Sequence, residues 1–200
     1  MNQKVKWLRL LLCFYVASFA VWALGYLPIF DRLSQWGDIL VSAGIILCLF
    51  QSSPFSKRYR GAAILKSISL VRMVFYALLP ATVLFSMVQM PYYAVVITVI
   101  GYVELILSWL ATYLEHRGHG ELIVELDPKL SKKWMVLFLC RLSFAILGTV
   151  LSYAVGHLYE VLHWGIGVIN VVFSVVQFGN KILLMVYLWF LYKTIRLVKQ

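Results

Sequence analysis

The sequence predicts an all-α polytopic membrane protein, a bundle of six transmembrane helices with both termini on the cytoplasmic side (N-in/C-in). Three observations predict it. Hydrophobic residues make up 62% of the 200 residues and charged residues 13%, with a mean hydropathy of +0.87; soluble domains hold roughly 45–50% apolar and about 25% charged residues. The apolar residues fall in runs long enough to cross a ~30 Å hydrocarbon core at 1.5 Å per residue. The basic residues collect beside alternate ends of those runs, as cytoplasmic flanks do. The whole chain, 1–200, reads as one membrane-embedded domain.

The first span, about 7–27, follows Lys4, Lys6 and Arg9. Ser18-Phe19-Ala20 has the form of a signal-peptide cleavage site, but apolar residues continue through Trp22, Leu24 and Tyr26, so an uncleaved helix is expected. A linker with Asp31 and Arg32 leads to a second span, about 37–51, which is short for a full crossing. Ser52–Gly61 then combines proline and glycine breakers with Lys57, Arg58 and Arg60. The third span, about 62–90, contains Lys66 and Arg72, with Pro80 as an expected kink. Pro91 marks a tight turn into the fourth span, 92–114, whose one charge is Glu104. Glu115–Lys133 is the longest polar stretch and reads as a solvated loop, with Leu122–Val124 as a short strand or an interfacial segment. The fifth span is 134–156 and the sixth 165–192, followed by Lys193, Arg196 and Lys199.

An inside N-terminus places every one of these basic flanks in the cytoplasm and leaves Arg32 alone outside. The net charge of +10 is thereby assigned to a membrane surface rather than to nucleic acid, and no nucleic-acid partner is expected. Cys13, Cys48 and Cys140 lie inside apolar spans without metal-ligand spacing and read as small buried hydrophobes. Lys6-Trp7-x-x-Leu10-x-Leu12-Cys13 echoes Lys133-Trp134-x-x-Leu137-x-Leu139-Cys140, and Ser56-Lys57-Arg58-Tyr59…Lys66 echoes Ser131-Lys132-Lys133-Trp134…Arg141. Basic–aromatic helix starts arise at any cytoplasmic interface, so the echo is read as chance.

Polar residues recur at helical spacing within the spans. Asn170, Ser174, Gln177 and Lys181 share a face of the sixth, and Thr98, Gly101, Glu104, Ser108 and Ala111 a face of the fourth. Ser69, Arg72 and Tyr76 align in the third, and Arg141, Ala145, Gly148, Ser152 and Gly156 in the fifth, the last three as small-xxx-small units. Lipid offers such groups no partners, so the stripes should face one another. Arg72, Glu104 and Lys181 each lie roughly 15 Å from the cytoplasmic helix end. The expected constellation is Glu104 between Lys181 and Arg72, with Asn170, Gln177 and Asn180 beside them and Glu104–Lys181 as the leading pair.

Two histidine clusters invite metal chemistry. Glu115-His116-Arg117-Gly118-His119-Gly120-Glu121 lacks a third ligand at recognisable spacing, and its glycines suggest a loop. His157, Glu160 and His163 recur at i, i+3, i+6 beside Tyr159 and Trp164, a pattern that also suits an interfacial aromatic belt. Neither is taken as a metal site, and no cofactor is expected. HExxH, GxSxG, P-loop and GxGxxG motifs are missing from the sequence. The function expected is that of a transporter or transporter subunit, its site taking a small anionic or zwitterionic ligand or a proton. The alternatives are an accessory or scaffold subunit, whose polar residues are structural, and a membrane enzyme using the 115–121 loop. The expected partners are the lipid bilayer and a membrane protein or a second copy of the chain. The expected location is a cell membrane, and the lack of Asn-x-Ser/Thr sequons and of a long polar domain leans towards a bacterial cytoplasmic one.

Overall fold

The computed structural model describes residues 3–25, 31–78, 92–162 and 166–199. They form six helices: α1 (Gln3–Leu24), α2 (Asp31–Ser52), α3 (Lys57–Leu78), α4 (Tyr93–Ile123), α5 (Pro128–Leu162) and α6 (Ile166–Lys199). There is no strand among the described residues. The helices pack in chain order as a closed ring, with α6 returning to α1 and α4 also reaching α6 across the interior. Helices satisfy their own backbone groups, which an apolar solvent requires. Segments of α1, α2, α3, α5 and α6 are long and apolar enough to cross a membrane, and α4 contains residues 93–114 of the apolar stretch read from the sequence.

The second helix spans 22 residues, or roughly 33 Å, because Asp31–Trp36 join it; the short span expected from sequence is full length. The polar stretch 115–133 is not a loop. The chain stays helical to Ile123, turns over Val124–Asp127 and starts α5 at Pro128. Leu122–Val124 is therefore the end of a helix and the start of a turn. Asp127 caps α5: its carboxylate accepts from the Leu130 amide at 2.9 Å, with Pro128 in the first position, where no amide hydrogen is needed. Ser56 does the same for α3 through the Arg58 amide. Pro80 lies outside the described residues.

The buried core gathers at one end of the ring, the end bearing the basic flanks. Leu8, Leu11 and Tyr15 of α1, Leu49 of α2, Tyr59 and Ala62 of α3, Ile123 of α4, Trp134 of α5, and Tyr187 and Leu191 of α6 meet there. Elsewhere large apolar side chains such as Leu40, Val71, Ile106 and Phe178 face outward. That suits a lipid solvent and would be an unusual surface in water.

Bare glycine surfaces let the helices close up. A Cβ at Gly44 of α2 would run into the Phe14 ring of α1, and one at Gly179 of α6 into the Phe144 ring of α5. Gly148, from the small-residue stripe, sits 2.8 Å from Val176 by the same measure, whereas Gly101 meets open space. Gly44→Ala and Gly179→Ala should each lower the thermal midpoint of detergent-solubilised protein, with an overpacking cost of about 1–3 kcal/mol. Gly101→Ala should leave it unchanged or raise it slightly. Circular-dichroism melts of the three variants check this.

Candidate functional site

The site is built around Glu115, on the stretch of α4 that lies beyond Leu114. Ala111, Glu115, His119 and Ile123 follow one another at i+4, which sets them along one face of a helix, and all four are buried. On α3, Tyr59 and Lys66 are two turns apart and point to the same side. Tyr15 comes from α1, Trp134 from α5 and Tyr187 from α6. Four helices, α1, α3, α5 and α6, thus converge on Glu115 and His119 of α4.

Glu115 has only 2% of its side chain exposed. Its Oε1 accepts hydrogen bonds from the hydroxyls of Tyr15 and Tyr187, each at 2.6 Å. Its Oε2 faces the Lys66 ammonium at 3.1 Å, and Lys66 also donates to the Tyr15 oxygen at 3.4 Å. Counting protons then assigns the His119 tautomer. Tyr187 gives its single hydrogen to Glu115, so its oxygen accepts from His119 Nε2 at 2.9 Å. His119 Nδ1 is left to accept from the Tyr59 hydroxyl at 2.7 Å. A continuous chain of donors runs Tyr59–His119–Tyr187–Glu115, and every hydrogen in it has an acceptor. Such a set holds a carboxylate in its charged form, because hydrogen bonds and a counter-ion favour the ion that burial disfavours.

Aromatic rings wall the cluster off. The Tyr15 and Tyr187 rings meet edge-on at 4.8 Å, and Trp134 lies 4.5 Å from the His119 ring while donating to Thr194 at 3.2 Å. The neighbouring His116 is fully buried. Its Nδ1 donates to the Thr112 carbonyl at 2.8 Å, and its Nε2 has no hydrogen-bond partner among the described residues. One turn further out, Glu121 accepts from Ser56 at 2.9 Å and from Arg58 at 3.3 Å, with Arg117 at 3.4 Å. Partial burial alone would raise the Glu121 carboxyl; these donors outweigh it and hold the group below its usual range.

Two small cavities flank α4 beside this cluster. One, of about 180 Å³, lies between α2, α3 and α4 and is lined by Ser42, Lys66, Ser69 and Ser108 among others. The second, of about 150 Å³, lies between α4, α5 and α6 and is lined by Ser108, Trp109, Thr112, Arg141 and Asn180. Ser108 belongs to both. Lys66 is common to the first cavity and the carboxylate cluster. Arg141 packs over the Tyr187 ring at 5.7 Å, as Lys66 packs over Tyr15 at 5.9 Å.

The residues singled out from sequence are distributed differently from the expected constellation. Glu104 and Arg72 do form an ion pair, but in an apolar groove on the outer side of α3 and α4, with Arg72 42% exposed. Lys181 makes no ion pair with Glu104. Its ammonium stands 4.2 Å from the Trp22 ring of α1, and its electrostatic partner is Asp38 of α2. The leading Glu104–Lys181 pair is therefore corrected to Glu104–Arg72. Asn180 lines the Arg141 cavity. The side chains of Asn170, Gln177, His157, Glu160 and His163 lie outside the described residues. Glu115, His116 and His119, assigned from sequence to a solvated loop, are among the most enclosed polar groups of the described residues; the misleading signal was glycine. A Cβ at Gly118 would come within 2.9 Å of the Tyr59 ring, so this glycine serves close helix packing rather than a bend. The i+4 spacing of Ala111, Glu115 and His119 was the signal that could have found the cluster. No three His, Cys, Asp or Glu side chains converge as a metal site among the described residues.

The arrangement can hold a buried charge, or pass a proton along the tyrosine–histidine chain if one partner moves. Removing one member of a buried pair strands the other, at a cost of about 3–5 kcal/mol. Lys66→Met and Glu115→Gln should therefore each lower the thermal midpoint strongly, and the double variant should lose less than their sum. Tyr187→Phe, which removes one donor to a buried carboxylate, should cost about 1–3 kcal/mol. A double-mutant cycle on solubilised protein measures the coupling.

In comparisons with known proteins, no family model, no curated protein and no solved structure matches this chain.

Proposed function

We propose that this chain is a polytopic membrane protein of transporter or transporter-subunit type, with six spans and both termini on the cytoplasmic side. Its solute path would be the polar interior around Ser108, and the Glu115 cluster would be the closed cytoplasmic barrier. The orientation follows from Lys57, Arg58, Lys132, Lys133, Lys193 and Arg196, which gather at the end where the core is buried. One observation carries the reading: Lys66 binds the Glu115 carboxylate at 3.1 Å and also lines the 180 Å³ cavity. A solute arriving at Lys66 would compete with Glu115 for the ammonium, so occupancy of the cavity and integrity of the barrier are linked. Intramembrane ionisable groups are costly and mark ion or solute paths more often than inert packing.

A second reading, a scaffold subunit, is favoured by the complete pairing of the cluster. A fully satisfied polar network can serve register alone.

The two readings separate by access. In a background with Cys13, Cys48 and Cys140 replaced, Ser108→Cys should react with a membrane-impermeant methanethiosulfonate added from the side opposite the Glu115 cluster. It should react from the cytoplasmic side only when Glu115→Gln is introduced as well. A thiol unreactive from both sides in both backgrounds, with Glu115→Gln lowering only stability or assembly, would assign the scaffold role.

A further inference from the structure

Lys66 and Arg141 occupy corresponding places in the two echoed stretches, Tyr59…Lys66 and Trp134…Arg141. The structure gives them corresponding surroundings. Tyr59 and Trp134 both pack on His119, at 5.3 and 4.5 Å between rings. Lys66 and Arg141 each lie over a tyrosine that donates to Glu115. The correspondence breaks at charge. Lys66 has Glu115 as its counter-ion, whereas Arg141 has no carboxylate within ion-pair distance among the described residues.

From this asymmetry we infer that the cavity between α4, α5 and α6 binds a small oxyanion, with Arg141 as its counter-ion and Asn180 and Ser108 as further donors. The lining supports that chemistry. No acidic side chain borders the cavity, and among the described residues neither Asn180 nor Ser108 has another side-chain hydrogen bond. Thr112 donates its hydroxyl hydrogen to the Ser108 carbonyl at 2.8 Å and so offers the anion no donor, which leaves that role to Arg141, Asn180 and Ser108. A guanidinium fork matches the two oxygens of a carboxylate or phosphate. Arg141, with no counter-ion from the protein among the described residues, gains most from one brought by a ligand. A space of about 150 Å³ suits inorganic phosphate or a short monocarboxylate. The proposal refines the transporter reading by naming the solute class, but it is tested by binding rather than by access.

The test uses full-length protein in maltoside micelles, stripped of lipid and phosphate. Sodium phosphate and sodium acetate are titrated against sodium chloride at matched ionic strength, with tryptophan fluorescence and the thermal midpoint as readouts. The expected result is a saturable response to phosphate or acetate, a fluorescence change that disappears in Trp109→Phe, and affinity weakened about tenfold or more in Arg141→Gln. Asn180→Ala and Ser108→Ala, which remove no charge, should weaken binding several-fold while eluting as folded protein, so the test stands even if Arg141→Gln misfolds. A parallel titration with phosphatidic acid identifies the source. A response to that lipid alone, lost in Arg141→Gln or Asn180→Ala, keeps the oxyanion site and assigns it to a headgroup. No saturable response to any of the three, or a response unchanged in the cavity variants, overturns the proposal. Binding without access at Ser108→Cys would sink the transporter reading and leave the oxyanion site, and access without binding the reverse.

Discussion

A single buried carboxylate sets the geometry of this bundle. Glu115 takes hydrogen bonds from α1 and α6 on one oxygen and an ammonium from α3 on the other. Through His119 it is tied to Tyr59 of α3 a second time. In lipid, apolar contact between helices gains little, because acyl chains are as apolar as leucine. A carboxylate removed from water is a different matter, since any arrangement that leaves it short of donors carries a penalty of several kcal/mol. The ring closes where α1 meets α6, and that is where Tyr15 and Tyr187 share Oε1. Closing the ring and satisfying Glu115 are the same event.

Close approach is what makes that event possible. The tyrosine and lysine donors are long but not extensible, so the backbones must lie near one another at this level. Gly118 provides that nearness on α4 by leaving room for the Tyr59 ring, and Gly120 brings its turn to within reach of Ser131, whose hydroxyl donates to the Gly120 carbonyl at 2.9 Å. Gly44 and Gly179 play the same part in the first and last hairpins, each receiving a phenylalanine ring from the preceding helix. The polar cluster specifies the partners and the glycines set the spacing.

Much of this was legible in the sequence. Apolar runs mark the helices, and the basic clusters mark one end of them, the end where the core turned out to lie. What composition hid was the difference between a polar loop and a polar helix face. His116, Gly118 and Gly120 together look like a turn, and only the i+4 alignment of Ala111, Glu115 and His119 says otherwise. Depth was a second weak guide. Arg72, Glu104 and Lys181 lie at similar depth, yet depth says nothing about which way a side chain faces. Six residues are about one and two-thirds turns, so Arg72 points away from the side of α3 that carries Lys66, and Lys181 away from the side of α6 that carries Tyr187. Arg72 still found Glu104 because α3 and α4 are neighbours; Lys181 went to α1.

The echoed stretches, read as chance from sequence, have a structural counterpart. Tyr59 and Trp134 approach His119 from α3 and α5, the two ring neighbours of α4, and the basic residue two turns on follows each of them inward. Two cations and one carboxylate then meet around one helix. The first hairpin follows the pattern at Trp7 but places Phe14 where the others place a cation, and it contributes the uncharged donor Tyr15 instead. Had α1 also supplied a lysine, three cations would stand around the Glu115 cluster with one carboxylate between them, and the end of the ring would repel itself. With a tyrosine there, the imbalance is limited to one guanidinium, beside a cavity with hydroxyl and amide groups on its walls. The same departure from repetition that lets the ring close leaves Arg141 as the place where an anion would be held.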